Sequence, residues 1–432
     1  MRHDRPMVAA DPFDPVFASY VQSRARLAGR TDRDARAPWV FSKVWDALGC
    51  RPDPARTILV TGSKGKGTVA RLLAWNLGRS GARIGLLVSP EEFDHYDRIR
   101  VDGVAISPAD FERLLSRSLP LLEDALRELA PERYLSPTGI FLTVALQWFA
   151  ERSPGWIVIE GGRGVRADEI GQLRAALGVV TSVLPEHVRA LGGSFEAVAQ
   201  DKLSIASQAD IVVAGPSAAA WPLAANVRVV ASPAIEHAEH AEHAEHAEHA
   251  EHAAMPRWYG ELLAVARGAL GVVQPHADLQ AIPTPSFFGA RLAGKPVVCE
   301  ALVSHESIDG AILRARLPRD SLCVLGLSDE KDCAAILGRL ARSGLERHAA
   351  IALHSPAGHV TSNWIRHHPP VADLGTLDVV RPDLRWLAAC LEAQADRAPG
   401  LYVAGIQVFV RSVRQAFRAR GALEIGQDDG VS

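Results

Sequence analysis

Lysine is scarce in this chain of 432 residues. Of its 47 basic residues only six are lysine (Lys43, Lys64, Lys66, Lys202, Lys295 and Lys331), and the remaining 41 are arginine. Where lysine does appear, chemistry that a planar, permanently charged guanidinium cannot perform is a reason for it. Cysteine is also sparse: Cys50, Cys299, Cys323, Cys333 and Cys390 are odd in number, scattered and free of any C-x-x-C pair. This excludes a disulfide framework and a thiolate zinc site, and fits reduced core thiols. Neither charge sign is in large excess, with a formal net charge of -3, which argues against a dedicated nucleic-acid or membrane-surface binder. No stretch approaches the roughly 20 apolar residues that span a bilayer, and Met1 to Pro12 contains no apolar signal segment. A cytoplasmic monomer acting on small molecules is the expectation. With 48% hydrophobic residues in a chain of this length, two or three globular domains are expected.

Short β-branched runs alternate with helix-length segments, the pattern of parallel α/β architecture. The first half predicts strands at Thr57–Thr61, Arg83–Val88, Trp156–Glu160, Val179–Leu184 and Ile211–Ala214. Its helices fall at Thr68–Arg79, Pro108–Leu129, Thr138–Arg152 and Ser194–Ser207. From Glu236 to Ala253 the triplet Glu-His-Ala occurs six times in succession, a low-complexity insertion with no apolar face. A helix at Trp258–Leu270 and a proline-containing stretch, Gln280–Pro285, lead into a second, smaller α/β domain. It has strands at Pro296–Glu300, Ser321–Leu327, Ala349–His354 and Leu401–Ala404, and helices at Ile308–Leu317, Lys331–Ser343, Leu384–Ala395 and Gln407–Arg418. The division expected is 1–285, carrying the insertion 236–253, followed by 286–432.

The strand Thr57–Thr61 runs directly into Gly62-Ser63-Lys64-Gly65-Lys66-Gly67-Thr68 and then into a helix. Glycines let the backbone turn N–H groups toward an anion, the helix N-terminus adds positive potential, Lys66 reaches terminal phosphates, and Thr68 can ligate Mg²⁺. The strict G-x-x-x-x-G-K-[ST] pattern is not met: Val60 stands at its first glycine, and Gly67 separates the lysine from the hydroxyl.

These residues resemble the variant phosphate loop, Gly-Thr-Asn-Gly-Lys-Gly-Ser, of the folylpolyglutamate synthase and dihydrofolate synthase family within the Mur ligase superfamily. Further similarities follow in order: Ser89-Pro90, then Asp97-Arg98-Ile99-Arg100 and Asp102-Gly103; Glu160 to Asp168, similar to Glu-Val-Gly-Leu-Gly-Gly-Arg-Leu-Asp; Glu186-His187 at Asp-His; Asp201-Lys202 at Glu-Lys; and Gly326 with Asp329, Lys331 and Asp332. The resemblance implies a Mur ligase-like α/β fold, a phosphate-loop ATPase domain with a parallel sheet plus a smaller Rossmann-like C-terminal domain. It implies an ADP-forming ligase that activates a carboxylate as its acyl phosphate and couples it to an amino acid or other amine. By position, the phosphate loop with Arg291 and Glu300 would bind ATP. Thr68, Ser89, Glu160 and His187 would hold Mg²⁺, with Mn²⁺ as a substitute. Lys66, His187 and Lys202 would serve catalysis, Lys202 as a carbamylated lysine. Taken singly, each has an ordinary alternative: Glu160 as a strand exit, His187 as a structural histidine, Lys202 on a solvated helix face.

Several motifs depart from the family. Ile140 replaces a glutamate, no counterpart of a His-Gln-x-x-Asn-Ala segment lies around Arg257–Ala266, and Val303 stands at a histidine position unless a shifted register uses His305. Divergence on the adenine and substrate side favours a specialised acid over folate. An authentic folate enzyme and a non-catalytic nucleotide-binding relative are the alternatives.

Overall fold

A computed structural model of the chain describes residues 13–23, 30–91, 94–230, 258–271, 287–302, 304–308, 310, 313, 316–355 and 360–421. The Glu-His-Ala insertion, the Gln280–Pro285 stretch, Val303 and half of the helix expected at Ile308–Leu317 lie outside these residues.

Two mostly parallel sheets organise the described chain. The first contains β1 (Thr57–Thr61), β2 (Ile84–Leu87), β3 (Ile99–Val101), β4 (Val104–Ala105), β5 (Trp156–Glu160), β6 (Ala175–Val180), β7 (Ala209–Ala214) and β8 (Val227–Val229), in the order β4-β3-β2-β5-β1-β6-β7-β8. Only the β2–β3 and β3–β4 pairings are antiparallel, at one edge. The second contains β9 (Phe287–Leu292), β10 (Lys295–Ala301), β11 (Leu322–Gly326), β12 (His348–His354), β13 (Ala372–Asp378) and β14 (Leu401–Gly405), in the order β13-β12-β11-β14-β10-β9, with β9 alone antiparallel. Each sheet has apolar residues on both faces, so β1 is buried throughout and packs its two sides into separate clusters, one around Phe41, Phe111 and Phe141 and one around Leu72, Leu73 and Leu262. That two-sided burial explains why these strands read as continuous apolar runs. Four of the five cysteines are buried and all five are free thiols. No helix among the described residues is long and apolar enough to cross a membrane.

One expected strand is displaced. Val179–Leu184 is replaced by β6 at Ala175–Val180, because the residues after Val180 leave the sheet to brace the phosphate loop: Ser63 N–H donates to the Ser182 carbonyl at 2.8 Å, and Leu184 N–H donates to Ser63 Oγ at 2.9 Å. The helix expected from Thr68 begins two residues earlier, at Lys66, and the helix Phe195–Leu203 tightens into a 3-10 turn over Ser204–Ser207.

A buried ionic network anchors the N-terminal segment beside β5. Arg36 meets Asp168 at 3.2 Å and Glu169 at 2.5 Å and also donates to Ser136 Oγ and Thr138 Oγ1; Ser136 in turn caps the helix Pro137–Arg152. Removing the cation leaves two buried carboxylates sharing one space. Arg36→Ala is expected to lower stability by about 3–5 kcal/mol, the cost typical of breaking a buried ion pair from one side. Urea denaturation at neutral pH measures it, and a loss within experimental error would show that the network contributes nothing net.

Candidate active site

The phosphate loop leaves the C-terminal end of β1, which lies between β5 and β6 near the centre of the first sheet. In open α/β sheets ligands bind outside these carboxyl ends. Gly62 has φ +136°, and a Cβ there would lie 2.1 Å from Thr181 Oγ1, so only glycine allows the turn against the neighbouring strand. Gly65, at φ +86°, caps the helix that begins at Lys66. Gly67, the residue that breaks the standard phosphate-loop pattern, has its own explanation. A Cβ at Gly67 would stand 3.2 Å from Glu160 Oε2, so the glycine lets a carboxylate approach the first turn of the helix.

Glu160 closes β5 at the same end of the sheet. It is buried, and its Oε2 accepts a hydrogen bond from Ser89 N–H at 2.9 Å. Burial pushes its pKa up to about 7, against the opposing pull of Lys66, Arg71 and Arg98. Ser63 to Thr68, Arg71, Ser89, Glu160 and Glu186 line one cleft, which Ala301 and Gln407 of the C-terminal domain face from the other side.

Across the loop, Glu186, His187 and Lys202 form a second group. Lys202 is 1% exposed, so a solvated helix face is excluded. Its Nζ donates to the Gly62 carbonyl at 2.7 Å and lies 3.8 Å from Glu186 Oε2. Burial lowers its pKa to about 8, with Glu186 pulling the other way. Burial would raise Glu186, but Lys66, His187, Lys202 and Lys331 together hold it at about 2. His187 Nε2 lies 3.4 Å from Glu186 Oε1; desolvation keeps its pKa well below the usual imidazole range despite Glu186, so the ring is neutral at pH 7.

Glu160 and His187 therefore follow the two strands that flank β1, Glu160 at the end of β5 and His187 beyond β6, with different partners. No three His, Cys, Asp or Glu side chains among the described residues are grouped closely enough to hold a metal alone. The donors present nevertheless suit a hard cation that takes its other ligands from phosphate. Thr68, Ser89 and Glu160 offer oxygen on one side, and on the other Glu186 Oε2 is buried without a hydrogen-bond partner beside the neutral His187.

The two C-terminal residues assigned to nucleotide binding are placed differently. Arg291 pairs with Pro296, at the end of β10 opposite to Glu300, and its guanidinium reaches only the Gly294 carbonyl of its own hairpin among the hydrogen bonds described. It is not brought to the loop. Glu300 is at the cleft, but it is engaged with Lys64 and accepts a hydrogen bond from Tyr402 O–H at 2.6 Å. Glu91, Arg411 and Tyr402 carried no sequence signal. Glu186 and Lys331 lay in quoted motifs but were not singled out, although Lys331 is one of the six lysines.

A glycine-rich loop at the centre of a mostly parallel sheet, facing a second mostly parallel sheet across a cleft, defines a two-sheet α/β fold of the Mur ligase type. Relatives and neighbours of this chain are folylpolyglutamate and dihydrofolate synthases, the family that the sequence motifs resemble. The chain is 27% identical over 195 residues to the dihydrofolate synthase/folylpolyglutamate synthase of Bacillus subtilis, 44% of each chain. It is 30% identical over 208 residues to the folylpolyglutamate synthase of Lacticaseibacillus casei, 47% of this chain and 46% of that one. The alignments thus span less than half of these relatives. No family model matches. Among solved structures, E. coli FolC in complex with DHPP and ADP superposes with a TM-score of 0.69 at 19% identity, covering 96% of this chain and 100% of that chain. The Mycobacterium tuberculosis folylpolyglutamate synthase complexed with ADP also gives 0.69, at 20% identity over 94% and 99%. The Yersinia pestis bifunctional enzyme complexed with AMPPNP and Mn ion gives 0.68 at 18% identity, covering 95% of this chain and 100% of that chain.

Proposed function

We propose that this protein is an ATP-dependent, ADP-forming amide ligase, and that its acid is of the folate type. The observation that carries the reading is the convergence of Lys66, Glu160 and Glu186 on one phosphate-loop cleft that the second domain covers, with Lys202 buried behind the loop against the Gly62 carbonyl. Loop N–H groups and the helix N-terminus would hold the phosphates, while Lys66 compensates charge as the γ-phosphoryl group passes to the substrate carboxylate. The amine then attacks the acyl carbon and phosphate leaves with the C–O electron pair. Enclosure between two domains keeps water from the acyl phosphate. Mg²⁺, held by Thr68, Ser89 and Glu160 with His187 beside a second position, would neutralise phosphate charge.

The specialised acid expected from the diverged motifs finds no support in the relatives, whose names are those of folate enzymes. Folate-type acids are therefore the first substrates to test. ADP release is expected to require both dihydropteroate or a reduced folate and L-glutamate, with the condensed product visible by mass spectrometry. Turnover should vanish on exhaustive chelation and return with Mg²⁺ or Mn²⁺, and Glu160→Gln should raise the Mg²⁺ requirement roughly tenfold or more, as loss of an anionic ligand does. Full activity in EDTA would sink the metal assignment. ATP-dependent condensation of a different acid, with folates inert, would overturn the substrate.

A further inference from the structure

Two ion pairs of opposite polarity join the domains at the edges of the phosphate-loop cleft. At one edge Lys64 of the N-terminal domain meets Glu300 of the C-terminal domain; at the other the carboxylate is N-terminal, Glu91, and the cation is C-terminal, Arg411. The second pair follows directly from the cleft wall, since Glu91 succeeds Pro90 and Arg411 lies one turn beyond Gln407.

We propose that Lys64 is a positioning residue and not a phosphate ligand: its clasp with Glu300 holds the C-terminal domain against the phosphate loop. The backbone of Lys64 is locked to the first sheet, its N–H donating to Ser182 Oγ at 2.9 Å and its carbonyl accepting from the same hydroxyl at 3.1 Å. From this fixed origin the side chain leaves the loop and spends two of its three donors on Glu300 Oε1 and on the Ser307 carbonyl, the latter at 2.8 Å. Glu300 cannot follow a nucleotide elsewhere. It is 1% exposed, sits in β10 between β9 and β14, and its other oxygen is held by Tyr402.

The same sheet carries Lys331, in the turn after β11, two strands from β10. Whatever fixes β10 against the loop therefore fixes the rest of this sheet, the Lys331 turn included, against the N-terminal domain. A buried Glu300 deprived of Lys64 would be an uncompensated charge, which favours separation of the domains and hydration of the carboxylate. The role in turnover rests on the ligase reading; the clasp itself does not.

The test is a double-mutant cycle of Lys64→Met, Glu300→Gln and the pair, with Lys64→Arg as the conservative control. Spin labels on cysteines introduced at exposed Glu123 and Asp396, in a Cys390→Ser background, report the interdomain distance by pulsed dipolar spectroscopy. Both single variants should lengthen or broaden that distance, the double no more than either, and Lys64→Arg should not. They should lower kcat by roughly ten- to a hundredfold, the scale of a misplaced group, while the KM for ATP stays within about twofold. An unchanged distance in Lys64→Met, or single effects that add in the double, overturns the clasp. So does a raised KM for ATP in Lys64→Met with Glu300→Gln silent, which would make Lys64 a phosphate ligand. If the native protein condenses no acid with any amine, the ligase reading fails and the distances alone decide the clasp.

Discussion

Lys66→Ala should abolish ATP turnover without unfolding the protein. The side chain lies on the first turn of the helix after β1, with Nζ 3.2 Å from the Ser63 carbonyl and within electrostatic range of Glu160, Glu186 and Lys202. Its ammonium is the cation common to both carboxylate groups, so its loss leaves developing phosphate charge unsupported. Electrostatic groups of this kind are worth about 10²–10³ in rate or more. The half-buried side chain fills no core cavity, so the fold should be kept, with at most a modest fall in melting temperature from the lost compensation of Glu160 and Glu186. Parent-level ADP release by Lys66→Ala would remove the loop from the reaction.

Lys202→Arg is expected to be as inactive as Lys202→Ala, and only the alanine variant should recover when short carboxylic acids are supplied. The reading behind this is that the Lys202 amine takes up CO₂ to become a carbamate, exchanging a positive charge for a negative one. Burial favours it, because a pKa lowered to about 8 leaves part of the amine neutral near physiological pH. At fixed dissolved CO₂, the neutral fraction rises roughly eightfold between pH 7 and 8.5 for such a group, so reactivation of a CO₂-stripped sample should accelerate in that direction. A guanidinium cannot undergo this reaction, and its bulk would press on the Gly62 carbonyl that Lys202 now contacts. Wild-type rates in Lys202→Arg would exclude the carbamate, leaving Lys202 as a fastener of the loop.

Much of the site was legible because lysine is rare. Four of the six lysines, Lys64, Lys66, Lys202 and Lys331, gather around the phosphate loop, while Lys43 and Lys295 are exposed elsewhere. In a chain whose default cation is arginine, a compact ammonium marked the places where geometry demanded one. Interior strands such as β1 and β5 were readable for a different reason, since burial on both faces leaves an uninterrupted apolar run. Edge strands lack that signature. β13 mixes half-buried and exposed residues with a single buried one, Leu377, and the β3–β4 hairpin is too short for periodicity, although Asp102-Gly103, both at positive φ, is the dipeptide that favours such a turn. Arg291 was misplaced because a motif match fixes position along the chain but not the direction in which a strand enters the sheet. The antiparallel course of β9 carries Arg291 away from the cleft. Pairs such as Glu91 with Arg411 join residues 320 positions apart, and nothing local to either announces the other.

The bracing of the phosphate loop by Thr181 to Leu184 bears on the thermodynamics of binding. Ser63 and Lys64 exchange backbone and hydroxyl hydrogen bonds with Ser182 and Leu184, all within the chain itself. The conformational entropy of that turn is thus surrendered during folding. A phosphate arriving at the loop would find its cradle already formed, and little of the association free energy would be diverted into ordering backbone. Amide exchange at Ser63, Lys64 and Leu184 should then be slow in the free protein and change little on saturation with ADP.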